Sequence, residues 1–390
     1  MRKPSWLVSM CIMGALSLNP AIAMAATAYY SGFAYLGDFK SIEKNFPYTT
    51  QLTKSEQGGP SRLDVAVLPR VKAVRNPILT IEFEGLGKLG PDATTAIALA
   101  LALDRETVSV EKIGGIHKIV VELSAQALFF DFKEKAVIAS YPIIVQYIDV
   151  VRERPDDAYL AKLVSDLYLG NVGVNLLDEF SKRLETISLN TNVSRRIQVS
   201  SVNIGSEAQA VLPPQYADDE QNFRNMLAQQ FSSYLSVNQK IPVLPYTAGY
   251  AISNRMAARF EDGSVFDLKI PEPDYTIDLD LAKLRRIDGP QSAAGMSVIY
   301  GAQVKIKVSE PLSGKRYFDA PIKQGASKGV PKSQENVDDW AAFQETILQL
   351  MNNFTSALDA PTAEWAEKHA SDKSLTSSMS DLRKVLQSCK

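Results

Sequence analysis

The feature that most narrows the fold of this chain is a pattern that occurs twice. Residues 116–130 and 136–150 are long apolar, strand-like runs on either side of the polar connection Asp131-Phe132-Lys133-Glu134-Lys135, which reads as a β-hairpin. A helix signal follows at Asp156-Asp157, with Leu160, Leu163, Val164 and Leu167 at helical spacing. In the second half Val304, Ile306 and Val308 alternate with Lys305 and Lys307. Ser313-Gly314 then turns the chain into residues 315–322, and a helix opens at Asp338-Asp339-Trp340. The spacing nearly matches: 23 positions from Lys133 to Asp156 and 25 from Ser313 to Asp338. A hairpin followed by a covering helix, met twice in 390 residues, predicts an α/β chain with α+β character, built as two duplicated mixed-sheet domains covered by helices. The expected divisions are a signal peptide at 1–25, domains at 26–190 and 195–360, and a polar C-terminal tail at 361–390.

Around this frame, residues 63–68 read as a strand ended by Pro69, and 77–83 as another. Residues 91–104 read as a helix, with Pro91 in its first turn and an alanine–leucine body, and 107–113 as a strand. Gly170 and Gly173 separate the Asp156 helix from a helical stretch at 176–184. Strands are expected at 197–204, 241–246 and 275–281, an amphipathic helix at 218–237 and a helix at 251–260. The last helix places Phe343, Ile347, Leu350, Met351 and Phe354 on one stripe. The aromatic start (Tyr29, Tyr30, Phe33, Tyr35, Phe39) fits a strand that completes the sheet better than a docking segment. A helical turn over 40–45 and a loop at Gly58-Gly59-Pro60 follow it, and the tail reads as a loosely attached helix or mobile segment.

The first 25 residues have the form of a secretory signal. Arg2 and Lys3 precede the apolar run 6–18, Asn19-Pro20 breaks it, and Ala21-Ile22-Ala23 or Ala23-Met24-Ala25 offers small-x-small cleavage. The run is too short for a permanent membrane anchor, and Cys11 inside it lacks the small neighbours of a lipid-attachment site. Cleavage would remove two cations and no acid, taking the net charge from −2 to −4, and would leave Cys389 as a single, exposed tail thiol. Export without disulfides fits a Gram-negative periplasm, or secretion, with no transmembrane segment after cleavage. Asn192-Val193-Ser194 and Asn353-Phe354-Thr355 match the glycosylation pattern only as chance would.

Residues 195–360 resemble the accessory domain of the TolB N-terminal and CsgG type. The stretches that carry the likeness are Pro242-Val243-Leu244-Pro245-Tyr246, Asp274-Tyr275-Thr276-Ile277, and residues 304–308 with Leu312-Ser313-Gly314-Lys315. Val65-Ala66-Val67-Leu68-Pro69 is similar to that family's opening strand. The resemblance implies non-catalytic assistance in envelope assembly or export, although the chain lacks a lipidated cysteine and obvious pore-forming strands.

The chemistry is mostly exclusion. Lys plus Arg total 42 against 44 for Asp plus Glu, which removes the broad basic field of a nucleic-acid binder. Gly85-Leu86-Gly87-Lys88-Leu89-Gly90 matches a dinucleotide loop, but Pro91 deletes one of the needed N–H donors, and a glycine-rich turn explains it. His117 and His369 are too isolated for a metal cage and read as surface residues, and no nucleophile elbow is present. Asp156, Asp157, Asp218, Asp219, Asp338 and Asp339 all precede helices, where capping explains them without catalysis. Lys283, Arg285 and Arg286 form a basic cluster, joined by Arg195 and Arg196 if the strands pair, that reads as a solvated strand end or a hold for an anionic partner. No catalytic, cofactor or metal residue is assigned. The expected function is a non-enzymatic exported accessory or scaffold contacting envelope or secretion-system proteins, with self-association left open. The alternatives are a periplasmic hydrolase acting on glycans through paired carboxylates and a two-lobed solute-binding protein.

Overall fold

The computed structural model describes residues 26–37, 42–54, 60–84, 96–170, 173–190, 195–217, 219–246, 255–260, 265–334 and 336–390. The first half contains β1 (Ala26–Leu36), α1 (Ile42–Asn45), α2 (Thr49–Thr53), α3 (Arg62–Ala73), β2 (Leu79–Glu82), β3 (Ile97–Ile113), β4 (Ile116–Asp131), β5 (Ala136–Val151), α4 (Asp157–Leu169) and α5 (Leu176–Thr186). The second contains β6 (Ile197–Ile204), α6 (Ser206–Gln209), α7 (Pro214–Ala217), α8 (Glu220–Gln239), β7 (Arg255–Phe260), β8 (Val265–Lys269), β9 (Tyr275–Gln291), β10 (Gly295–Glu310) and β11 (Lys315–Pro331). It closes with α9 (Asp339–Ala357), α10 (Ala363–Ala370) and α11 (Leu375–Gln387). Two mixed sheets with helices give the expected α/β character. No helix among the described residues is long and apolar enough to cross a membrane. The signal segment, the glycine loop 85–90 and Asp218 lie outside the described residues.

Both sheets repeat one connection. β1 pairs parallel with β3, which opens the antiparallel meander β3–β4–β5. In the same way β6 pairs parallel with β9, which opens β9–β10–β11. Each parallel link needs a crossover, and helices supply it: α1–α3 in the first case and α6–α8 in the second. Each meander is followed by a helix capped by an aspartate. Asp156 accepts the amide of Tyr159 (2.8 Å) and Asp338 that of Ala341 (3.0 Å). Asp219 does the same for Asn222 at the start of α8.

The first sheet is covered on both faces. Leu99, Leu101 and Leu103 of β3 point to the helix-side core with Phe33, Phe129, Phe180 and Tyr168. Ala98, Ala100 and Ala102 point the other way, under Leu244, Met256 and Leu268. The β7–β8 hairpin forms this second wall. It joins β5 at Ala136↔Lys269 and β1 through Ala34↔Phe260 to Leu36↔Ala258, so one end of the sheet closes on itself. The helix expected over 91–104 is therefore a strand from Ile97 onward, residues 91–95 lying outside the described set. Alanine and leucine favour helices, but here they alternate with period two, and two apolar faces outweigh propensity.

Other expectations are also overturned. Residues 63–68 belong to α3, where Ser61 caps Asp64 and Leu63, Val67 and Val71 are buried at i, i+4 and i+8. Pro69 sits inside that helix rather than ending a strand. Residues 255–260 are β7, not helix. The strand expected at 241–246 amounts to one bridge, Gln198↔Leu244.

The polar tail is part of the second core. Met379, Leu382, Val385, Leu386 and Cys389 pack with Phe318, Ile347 and Phe354, and α10 and α11 cover the edge strand β11. Cys389 is 1% exposed, and burial pushes its thiol up to about 12, so the expected exposed tail thiol is not found. With Cys11 replaced by serine, a thiol reagent at neutral pH is expected to modify Cys389 only at the rate of unfolding. Stoichiometric labelling of the folded protein within minutes would refute this.

Candidate functional site

The sequence singled out Lys283, Arg285 and Arg286, and the structure gives them different surroundings. β9 keeps Ile277, Leu279 and Leu281 in the core, but the register slips between Gln303↔Lys283 and Val304↔Leu281, leaving Ala282 as an extra residue. Beyond that bulge Leu284 is the buried residue, and Lys283, Arg285 and Ile287 face outward. Gly205 lies against the bulge, where a Cβ would sit 2.8 Å from the carbonyl oxygen of Ala282. The chain then turns into α6, which brings Glu207 to Lys283 (2.9 Å) and Arg285 (3.2 Å). Those hydrogen bonds hold the Glu207 carboxyl below the usual range. Arg286 points elsewhere, to Asp339 (3.3 Å) and Asp288 (3.0 Å).

The expected union with Arg195 and Arg196 does not form. Parallel pairing sets Ile197 beside Tyr275, the first residue of β9, whereas Lys283 lies at the middle of that strand. Arg195 instead pairs with Asp274 (3.0 Å), whose carboxylate also accepts the Arg196 amide (2.8 Å).

What the fold adds to Lys283 and Arg285 is a cavity of about 510 Å³ on the outer face of the second sheet. Its floor consists of two lateral rows, Lys283–Gln303–Lys323 and Arg285–Gly301–Gly325, each crossing β9, β10 and β11. Its wall is the end of α10, with Lys368 and His369. His369 is not a surface residue: it is 7% exposed and stacks on Trp365 with ring centres 4.7 Å apart. Its Nδ1 bonds the Lys323 carbonyl (3.1 Å), leaving Nε2 as the nitrogen able to meet a ligand. Lys323 reaches Ser371 through its ammonium group. Only Glu207 offsets the four cations among the described lining and its ion pairs. Sequence spacing could not show this site, because it depends on the bulge and on the docking of the tail.

A second surface lies on the first sheet. Apart from Ala136↔Lys269, β5 pairs with β4 alone among the described strands. The carbonyls of Ser140 and Pro142 accept from Val243, Arg183 and Ser233, which shows that even-numbered residues of β5 turn their backbone groups away from β4. Asp149 takes the Val150 amide (2.8 Å). Between these points Ile144, Gln146 and Ile148 present an edge. It starts in a groove of about 270 Å³ flanked by Lys182 and Arg183 of α5 and Ser233 and Val237 of α8. Ile148 and Val150 beside it are 53% and 54% exposed.

The aspartates expected at helix starts take local structural roles where they are described. Asp156, Asp219 and Asp338 cap helices, Asp157 lies in the first turn of α4, and Asp339 binds Arg286 and Tyr300. Among the described residues the two most buried glutamates, which sequence reading missed, sit on opposite faces of the first sheet. Glu106 accepts from the amides of Tyr48 (3.0 Å) and Thr49 (2.8 Å) in the helix-side core, and burial raises its pKa. Glu122 faces α8 and pairs with Arg105 (2.7 Å). His117 is partly covered, 3.3 Å from the carbonyl of Arg152.

No family model and no curated protein matches the chain. Among solved structures, a minor lipoprotein from Acinetobacter baumannii is 11% identical, with a TM-score of 0.22 over 45% of this chain and 97% of that one. A protein described as a neuraminyllactose-binding hemagglutinin homolog from Helicobacter pylori is 13% identical, with a TM-score of 0.26 over 45% and 91%. A Xanthomonas campestris protein of the family designated DUF330 is 13% identical, with a TM-score of 0.20 over 43% and 82%. Likeness at this level carries no weight for what the chain does.

Proposed function

We propose that the protein is a non-enzymatic exported accessory of the Gram-negative envelope that acts by holding other envelope or secretion proteins. The observation that carries this reading is the open edge of β5. An edge with outward N–H and C=O groups at Ile144, Gln146 and Ile148, beside exposed Ile148 and Val150, accepts an extended segment as an added strand. The resemblance of residues 195–360 to accessory domains supports the same reading.

A photo-activatable side chain at Gln146 is expected to trap an envelope protein in intact cells, whereas one at exposed Lys240 is not. Ile148→Pro is expected to abolish the adduct while leaving the fold intact, because proline removes an outward amide that β4 does not use. Absence of any envelope adduct at Gln146 above the Lys240 background, or an adduct that survives Ile148→Pro, would overturn the reading.

A further inference from the structure

We infer that the cavity on the outer face of the second sheet is a binding site for a phosphate-bearing ligand, a surface separate from the β5 edge. Three properties point there. First, its cations come from two strands of the floor and an independent wall: Lys283 and Arg285 on β9, Lys323 on β11, and Lys368 on α10. In a chain whose overall charge is −2, four cations around one hollow with Glu207 as the acid paired to them leave a local excess of about three positive charges. A phosphate monoester or pyrophosphate concentrates about two or more negative charges in one group, which an acidic peptide reaches only with several side chains. Arg285 supplies a fork for paired oxygens and the lysines supply mobile point charges.

Second, the floor is kept bare where nothing in the backbone requires it. Gly301 and Gly325 are cross-strand partners, and neither has a positive φ. A Cβ on Gly301 would lie 3.7 Å from its nearest neighbour and one on Gly325 would lie 3.9 Å away, ordinary contact distances. Glycine weakens a strand interior. These two therefore forgo strand propensity without a steric reason in the fold, and what a side chain there would occupy is the cavity. Third, the hollow holds His369, whose ring is fixed by Trp365 and by the Lys323 carbonyl, so a further donor or acceptor is pre-positioned at the wall.

The test uses the full chain at about 0.15 M salt, where exposed charges more than about 8 Å apart are largely screened. The soluble probes are inorganic pyrophosphate and glycerol phosphate. The surface probe is a phosphatidylcholine vesicle doped with phosphatidic acid, whose headgroup is a phosphate monoester. Saturable binding by calorimetry or co-sedimentation is expected for at least one probe. Gly325→Val, which fills the floor, and the double variant Lys323→Glu with Lys368→Glu are each expected to weaken it by about 30-fold or more. Gly325→Val is expected to melt no lower than the parent, which separates loss of the site from loss of the fold. Binding to soluble probes identifies a free phosphorylated compound, and binding to doped vesicles alone identifies a lipid headgroup. The assignment falls if no probe binds, if binding survives Gly325→Val, or if a tetraglutamate peptide competes as well as pyrophosphate.

Discussion

Replacing Phe354 with alanine is expected to cost the protein about 4 kcal/mol of stability, the upper part of the range for a buried aromatic. The side chain is 1% exposed on α9 and its ring meets three elements at once. Ring centres lie 5.2 Å away at Phe318 on β11, 6.3 Å at Phe231 on α8 and 6.1 Å at Trp365 on α10. Truncation removes the dispersion contacts and leaves a void that rigid strands on one side cannot close. Because Trp365 borders the void, its fluorescence should report the change before unfolding, and urea titration measures the loss. The neighbouring Asn353→Ala, at an exposed site where the side chain bonds only Gln324 (3.2 Å) among the described residues, should shift stability by no more than about 0.5 kcal/mol. A cost below about 1.5 kcal/mol for Phe354→Ala would show that the second core collapses around the gap.

The second large effect is expected where the first sheet meets α8. Glu122 on β4, with 5% of its side chain exposed, accepts from Arg105 of β3 (2.7 Å) and from Gln146 of β5 (3.2 Å). Arg105 also donates to the side chain of Asn222 on α8 (3.2 Å), while its Nε has no partner in the described structure. Glu122→Leu strands a guanidinium in a space that excludes most water, and is expected to cost about 3–5 kcal/mol. Adding Arg105→Met to that variant is expected to recover most of the loss, since two apolar side chains of similar volume need no partner. The decisive measurement is the coupling energy from denaturation of the parent, both single variants and the double. A double variant no more stable than Glu122→Leu would mean that the pair is held by water rather than by burial.

The repeated hairpin-and-helix plan was legible because it rests on local signals: period-two runs, a polar turn, and aspartates at helix starts. Residues 156–157, 219 and 338–339 were correctly assigned to helix entry on that basis, and 218 lies outside the described residues. Failures came where tertiary burial reversed a local preference. The Ala–Leu run of β3 has helical composition but strand periodicity, and Ser61-x-x-Asp64 was a cap signal hidden by the β-branched character of Val65 and Val67. The basic site was half legible. Lys283 and Arg285 stand out in the sequence, but Lys323 and Lys368 join them only through strand register and through a tail whose serines and threonines conceal its apolar stripe of Met379, Leu382, Val385 and Leu386.

The β7–β8 hairpin makes the first sheet a shared structure. A loop from inside the crossover that joins β6 to β9 walls off the alanine face of β3, at Met256 and Leu268. A chain cut between residues 190 and 195 is therefore expected to leave Ala98, Ala100 and Ala102 bare to water, so the first half cannot be excised and expressed by itself without losing one wall of its own core.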